Sequence, residues 1–138
     1  IGLIHLIQGN DDSASEYLER AFYLNKSETY FKSLMHSLSN KSEFDKMDDL
    51  IKENEELFQK EYIDSLKEKN AQSKLTIAIA EIISLNKIRD NTSRMKIFNN
   101  SEKLIRNFIK TYPNNCHFRA LLNISSAFSI DNFSIRLL

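Results

Sequence analysis

Three histidines and one cysteine are the residues best suited to metal or nucleophilic chemistry in this chain of 138 residues. His5, His36 and His117 lie far apart, and no pair has the four-residue spacing that places two ligands on one helix face. Cys116 directly precedes His117, but neighbouring residues of a helix point in different directions, so adjacency alone does not create a thiolate–imidazole pair. We therefore expect no metal site, no cofactor and no thiol catalysis.

Paired carboxylates are the other groups that could act as a general acid and a general base. Asp48 with Asp49, and Glu55 with Glu56, lie in stretches of mixed charge that are typical of the solvated face of a helix. The sequence contains no glycine-rich phosphate loop, no serine nucleophile elbow and no HExxH motif. We expect this region of the protein to be non-catalytic.

The net charge of the chain indicates which partners are unfavourable, and the single cysteine indicates the cellular compartment. The 19 basic and 19 acidic side chains give a net charge of zero, which predicts a weak long-range field and no nucleic-acid partner. One cysteine, Cys116, cannot form an internal disulfide, so a reducing, cytoplasmic location is expected.

The most apolar segment, residues 75–85, contains Glu81 and is shorter than the roughly 20 residues that cross a bilayer, so no membrane span is expected. The sequence starts with Ile1 rather than Met and has no signal peptide pattern, which indicates a piece of a longer chain.

Apolar residues recur three and four positions apart along most of the sequence, which is the pattern of a helix with one buried face. Because the chain has only two glycines and one proline, we predict an all-α fold. Helices are expected at residues 1–8, 11–24, 27–39, 42–69, 70–85, 101–112 and 114–128, with an eighth beginning after a turn near 131. The fourth is either continuous or broken near Asn54, and Pro113 ends the sixth. Residues 86–100 are expected to form a mobile loop, with a short turn of helix around residues 93–98 as the alternative.

Residues with short polar side chains mark where several of these helices should begin. Gly9 provides the tight turn between the first two helices. The expected N-caps are, in chain order, Asp11, Asp12 or Ser13, then Ser27, Ser42 and Asn70.

The first two helical hairpins are related by an internal repeat. A shift of about 33 residues brings several positions of the first hairpin onto the second. The corresponding pairs are Ile1 with Leu34, His5 with Leu38, Asp12 with Asp45, Ala14 with Met47, Leu18 with Ile51, and Leu24 with Leu57.

Residues 1–26 also resemble a tetratricopeptide repeat. This family has a Leu-Gly pair, an aromatic residue, a turn Gly, an Ala, an aromatic or Leu, a second Ala and a Pro, in that order. Those positions hold Ile1, Gly2, His5, Gly9, Ala14, Leu18, Ala21 and Lys26 in this chain. Gly2 and Ala14 would allow the two helix backbones to approach each other, and Leu18 and Ala21 would fill the space between them.

The resemblance implies an α-solenoid, in which antiparallel helix hairpins stack into a right-handed superhelix. We expect one helical-repeat domain over residues 1–138, with units at about 1–26 and 27–58, an irregular part at 59–113 and a partial unit at 114–138. Such proteins are typically scaffolds that bind a protein or peptide on the concave face, and self-association remains possible.

In this family the first helix of each hairpin lines the concave face. The resemblance implies that Lys32, His36 and Ser39 project there, and that Lys74, Ala78 and Glu81 continue the row. An ordinary solvated surface is the alternative interpretation of these side chains. Two other functions stay open, namely a regulatory or substrate-recruiting region of a larger enzyme such as a glycosyltransferase, and a small helical enzyme.

Overall fold

The computed structural model describes residues 1–87 and 89–116, and all regular secondary structure in these ranges is helical. The α-helices are α1 (Gly2–Ile7), α2 (Asp11–Leu24), α3 (Glu28–Asn40), α4 (Phe44–Asn54), α5 (Lys60–Ser84) and α6 (Asn91–Thr111). Single 3₁₀ turns, Glu55–Leu57 and Leu85–Lys87, follow α4 and α5. The all-α prediction is confirmed for the described residues. The predicted helices at 114–128 and after 131 fall almost entirely outside them.

The turn between α1 and α2 forms at Gly9, as predicted, but the N-cap of α2 differs from the expected one. Gly9 has a φ of +72°, a left-handed conformation that glycine adopts without a steric penalty. Asn10 therefore becomes the residue that precedes α2, and its side chain accepts a hydrogen bond from the Ser13 backbone N–H at 3.4 Å. The prediction that Asp11, Asp12 or Ser13 caps this helix is wrong.

Ser27 caps α3 as expected, accepting a hydrogen bond from the Tyr30 backbone N–H at 3.3 Å. The corresponding prediction for Ser42 is wrong, because Ser42 has a φ of 58° and forms the turn itself. Helix α4 then begins at Phe44 without a side-chain capping bond. It ends at Asn54, which agrees with the interpretation of a fourth helix broken at that residue.

Asn70 was expected to start a helix, but it lies in the middle of α5. Its side chain is buried, and Nδ2 donates hydrogen bonds to the Phe44 carbonyl oxygen at 2.9 Å and to the Asp48 carboxylate. Because its side chain bonds to α4, Asn70 does not act as the N-cap of its own helix. The predicted boundary between residues 69 and 70 is therefore wrong.

The predicted loop at residues 86–100 is largely helical, because α6 starts at Asn91. Asp90 caps it, accepting hydrogen bonds from the backbone N–H groups of Thr92 and Ser93 at 3.3 Å and 3.1 Å. The cap satisfies backbone donors that would otherwise be left unpaired at the start of the helix. The helix ends at Thr111, before Pro113, as predicted.

The chain divides into two compact units, Ile1–Asn70 and Ala71–Leu138, and helix α5 contributes residues to both. The first unit contains α1 to α4 and the beginning of α5, and its core combines aliphatic and aromatic side chains. The fully buried members are Ala14, Phe22, Phe31, Leu34 and Leu38. In the second unit, the described core is formed by Leu75, Ile79, Ile82, Leu85, Ile105 and Phe108.

Within the first unit, α1 and α2 approach closely at the predicted contact. Gly2 is buried, and a Cβ atom at its position would lie only 2.8 Å from Cγ of Leu18. Ala14 is fully buried, as the packing scheme requires, whereas Ala21 is half-buried. Small residues therefore permit the short distance between the two helices.

Polar contacts fix α3 against the start of α2. The buried Ser37 hydroxyl donates to the Asp11 carbonyl oxygen at 3.1 Å, and Asn40 Nδ2 donates to the Asp11 carboxylate, also at 3.1 Å. Lys41 Nζ lies 3.1 Å from Asp12 and 2.7 Å from Glu43, and these hydrogen bonds raise the pKa of the lysine. The C-terminal end of α3 is thus held beside the N-terminal end of α2.

Candidate binding surface

Helix α3 carries the first three predicted site residues on one side. Lys32 and His36 are four residues apart and Ser39 follows three later, which is the spacing of neighbours on a helix surface. Lys32 and His36 are exposed, and Ser39 is half-buried. The opposite side of α3 supplies Phe31, Leu34 and Leu38 to the core, so the orientation of the helix is fixed by burial.

Lys32 lies at the centre of a small charged and aromatic group. Its Nζ is 2.5 Å from a carboxylate oxygen of Glu28, one turn earlier on α3. The same ammonium group lies 5.0 Å from the ring centroid of Tyr62 on α5, within the range of a cation–π interaction. This contact joins the first helix of the second hairpin to the next helix beyond that hairpin.

The Tyr62 ring is held in place by aromatic packing. It meets the ring of Phe58 edge to face, with centroids 6.3 Å apart. Phe58 stacks on Phe31 at 4.7 Å, and Phe31 contacts Phe22 at 5.2 Å. Because Phe22 and Phe31 are fully buried, these contacts tie the position of Tyr62 to the core of the first unit.

Burial raises the pKa of Tyr62 to about 12, and the negative charge of Glu28 contributes a smaller increase. The phenol therefore stays protonated at neutral pH and keeps its hydroxyl hydrogen available for donation. The Lys32 ammonium and the His36 imidazole are two further polar groups on this surface.

Lys74 and Glu81 lie on α5 in the second unit, where Lys74 is half-buried and Glu81 is exposed. Ala78 was expected in the same row but is buried, with 5% of its surface exposed. Its inclusion in the predicted row is wrong, because the apolar face formed by Leu75, Ile79 and Ile82 extends to it.

The groups considered for chemistry are dispersed in the part of the chain that the structure describes. His5 stacks on Tyr17, with ring centroids 5.5 Å apart and planes 7° from parallel, as expected of a packing residue. Cys116 is exposed, and His117 lies outside the described residues. Within residues 1–87 and 89–116, no three His, Cys, Asp or Glu side chains are grouped as metal ligands.

None of the helices in the described ranges has the length and apolar character needed to span a membrane.

A basic surface on α6 was missed by the sequence analysis. Exposed lysines and amides line an open depression of about 450 Å³ there, together with one leucine and one arginine. Its lining residues are Asn100, Lys103, Leu104, Arg106, Asn107 and Lys110. Charge summed over the whole chain conceals this surface, whereas charge counted separately for each half would have indicated it.

Comparison with known proteins gives no relative, since no protein-family model, no curated protein and no solved structure matches this chain.

Proposed function

We propose that this chain is a non-catalytic helical-repeat module of the tetratricopeptide type that binds a peptide or protein segment. The segment lies along the exposed side of α3, against Lys32, His36 and Ser39, with Tyr62 at its edge. The expectation that Lys74 and Glu81 bind a partner concerns the second unit and stays a separate prediction. A reducing, cytoplasmic compartment belongs to the same proposal.

The bounds of the second helix in each hairpin support a repeated unit. A shift of 33 residues carries Asp11–Leu24 onto residues 44–57, which are the combined bounds of α4 and the 3₁₀ turn that follows it. Ala14 and Met47 are equivalent under this shift and both buried, as are Leu18 and Ile51. Leu24 and Leu57 correspond as well, and both are exposed. These three positions of the second helix thus have the same exposure in both hairpins, whereas Ile1 is exposed and its counterpart Leu34 is buried.

The contact between Lys32 and Tyr62 is the observation that carries the binding proposal. It joins side chains of α3 and α5 at the protein surface, so a ligand on one helix would also meet the other. The half-buried Phe58 ring, stacked on the buried Phe31, holds Tyr62, and a surface held in this way loses little conformational freedom when it binds. Pre-formed helical surfaces of this kind suit the recognition of peptide segments.

The test is a selection of binding peptides from a random displayed library, followed by measurement of their dissociation constants by fluorescence anisotropy. The double substitution Lys32→Ala and His36→Ala should weaken binding about tenfold or more, corresponding to at least about 1.4 kcal/mol. Glu16→Ala with Arg20→Ala is the matched control, because these residues form an exposed ion pair four residues apart on α2. Equal affinity of both double variants for the selected peptides, or failure to enrich any peptide, would contradict the proposal.

A further inference from the structure

The zero net charge of the chain conceals two oppositely charged halves. Ile1–Asn70 contains 15 acidic and 9 basic side chains, a net charge of −6, whereas Ala71–Leu138 contains 4 acidic and 10 basic side chains, a net charge of +6. Charges of this size create local fields that act over about 10 Å at moderate ionic strength. Each half is therefore attractive to a surface of the opposite sign.

Part of the positive charge of the second half lies in a row of three lysines on α6, called the basic stripe below. Lys96, Lys103 and Lys110 are seven residues apart, which places them on one side of the helix at steps of about 10.5 Å. All three are exposed, and none forms an ion pair with a described residue. By contrast, Arg106 is held by Glu102, with Nη2 2.9 Å from the carboxylate.

The first half presents a row of exposed carboxylates, and the outer two, Asp49 and Glu56, are seven residues apart like neighbouring lysines of the stripe. Asp49, Glu53 and Glu56 follow one another at steps of four and three residues along α4 and its 3₁₀ turn. They are exposed and have no ion-pair partner among the described residues, although Lys52 lies between them in the sequence. A helix that carries such carboxylates matches a row of lysines on another helix.

We infer that the basic stripe of α6 binds the acidic first half of a second copy of this chain. Each copy then offers one surface of each kind, so the contact is heterologous and continues head to tail unless it closes into a ring. The inference is independent of the proposed peptide site, because that site lies on α3. Its basis is the equal and opposite charge of the two halves.

A nucleic acid is a less suitable occupant of this stripe. The −6 charge of the first half repels a polyanion, and the chain as a whole has no net attraction for one. Single-stranded binding surfaces also combine cations with exposed aromatic rings. On α6, Phe108 is buried in the core and Phe98 is packed against it.

Sedimentation equilibrium of the full chain tests the inference. At about 10 mM salt the weight-average mass should rise with protein concentration, and at about 1 M salt it should return to that of the monomer. Lys103→Gln with Lys110→Gln should weaken the association at least about tenfold, as should Asp49→Asn with Glu53→Gln. Lys87→Gln with Arg89→Gln is the matched control, since it removes two exposed positive charges outside the stripe and should leave the association intact.

Mixing the two surface variants provides a sharper version of the test. Each lacks one of the two surfaces, so an equimolar mixture should form a one-to-one dimer and nothing larger. A mass that stays monomeric at low salt for the wild type would overturn the inference, as would equal loss of association in the Lys87 and Arg89 control. Tight binding of a labelled oligouridine that depends on Lys103 and Lys110, without self-association, would assign the stripe to nucleic acid instead.

Discussion

Leu18 packs directly over Gly2, and a Cβ atom on Gly2 would lie 2.8 Å from its Cγ and 3.2 Å from its backbone nitrogen. The backbone nitrogen cannot move aside as a flexible side-chain end would. Gly2→Ala should therefore lower the free energy of unfolding by about 1 to 3 kcal/mol through overpacking, despite the better helix propensity of alanine. Urea denaturation followed by circular dichroism measures the change.

The control for this prediction is the same substitution in a Leu18→Ala background. Leu18→Ala alone should cost about 2 to 5 kcal/mol, because it removes a buried side chain. Without the leucine side chain, the 2.8 Å contact with Cγ is removed and the 3.2 Å contact with the backbone nitrogen stays, so adding Gly2→Ala should cost less than it does in the wild type. Additive effects of the two substitutions would show that Gly2 and Leu18 do not constrain each other.

Substitution of Asn70 tests whether its side chain stabilises the packing of α5 against α4. Replacing it with alanine removes the donor to the Phe44 carbonyl oxygen and to Asp48, so Asn70→Ala should destabilise the protein by about 1 to 3 kcal/mol. Asn107→Ala is the matched control, because Asn107 is also in a helix interior but exposed. Asn107→Ala should leave the free energy of unfolding unchanged or raise it slightly. Unfolding of both variants at the same urea concentration would contradict the role of the Asn70 side chain.

Tyr62 should ionise at a higher pH than a tyrosine of ordinary pKa. Its pKa of about 12 lies above the ordinary value of 10.0, chiefly because of burial. Since the folded-state pKa is raised, the stability that the neutral phenol contributes is fully present below pH 10.0 and is lost as the pH rises toward 12. In an ultraviolet titration of tyrosinate, Tyr62→Phe should remove the latest step, and Glu28→Gln should move that step slightly lower. A late step that persists in the Phe variant would contradict the assignment.

Asp90 should stabilise the start of α6 in a pH-dependent manner. Hydrogen bonds from the Ser93 hydroxyl and from the backbone N–H groups of Ser93 and Thr92 lower the pKa of its carboxyl. The stability that the ionised Asp90 cap contributes is therefore present when the pH is above the unfolded-state pKa, and it is lost as the pH falls through the folded-state pKa. Asp90→Ala should speed amide exchange at residues 91–94, whereas Asp90→Asn should preserve most protection and remove the pH dependence. Hydrogen–deuterium exchange measures both effects, and unchanged exchange in the alanine variant would exclude the cap.

Several features of the fold are predicted correctly because their signals are local. The turn at Gly9, the cap at Ser27 and the end of α6 before Pro113 follow from backbone preferences. The contact of Gly2 with Leu18 follows from the resemblance to a tetratricopeptide repeat. These features depend on residues close together in the chain, so a single sequence is enough to reveal them.

The errors have different causes, and a tertiary contact decides the outcome at Asn70. Asn70 has the character of a cap, but a bond to Phe44, 26 residues away in the sequence, keeps it inside a helix. The stretch from Asn91 to Lys96 carries little apolar periodicity, so the pattern indicates at most a short helical turn there, although Asp90 supplies a cap for a long helix. The candidate site was placed by resemblance, and the partnership of Lys32 with Tyr62 had no signal in either segment alone.

Chemical-shift mapping of ¹⁵N-labelled protein with a selected peptide is the most direct test of the proposed binding surface. The proposal predicts that the largest shifts occur at Lys32, His36, Ser39 and Tyr62. Shifts confined to other surfaces, with these four residues unmoved at saturating peptide, would contradict it.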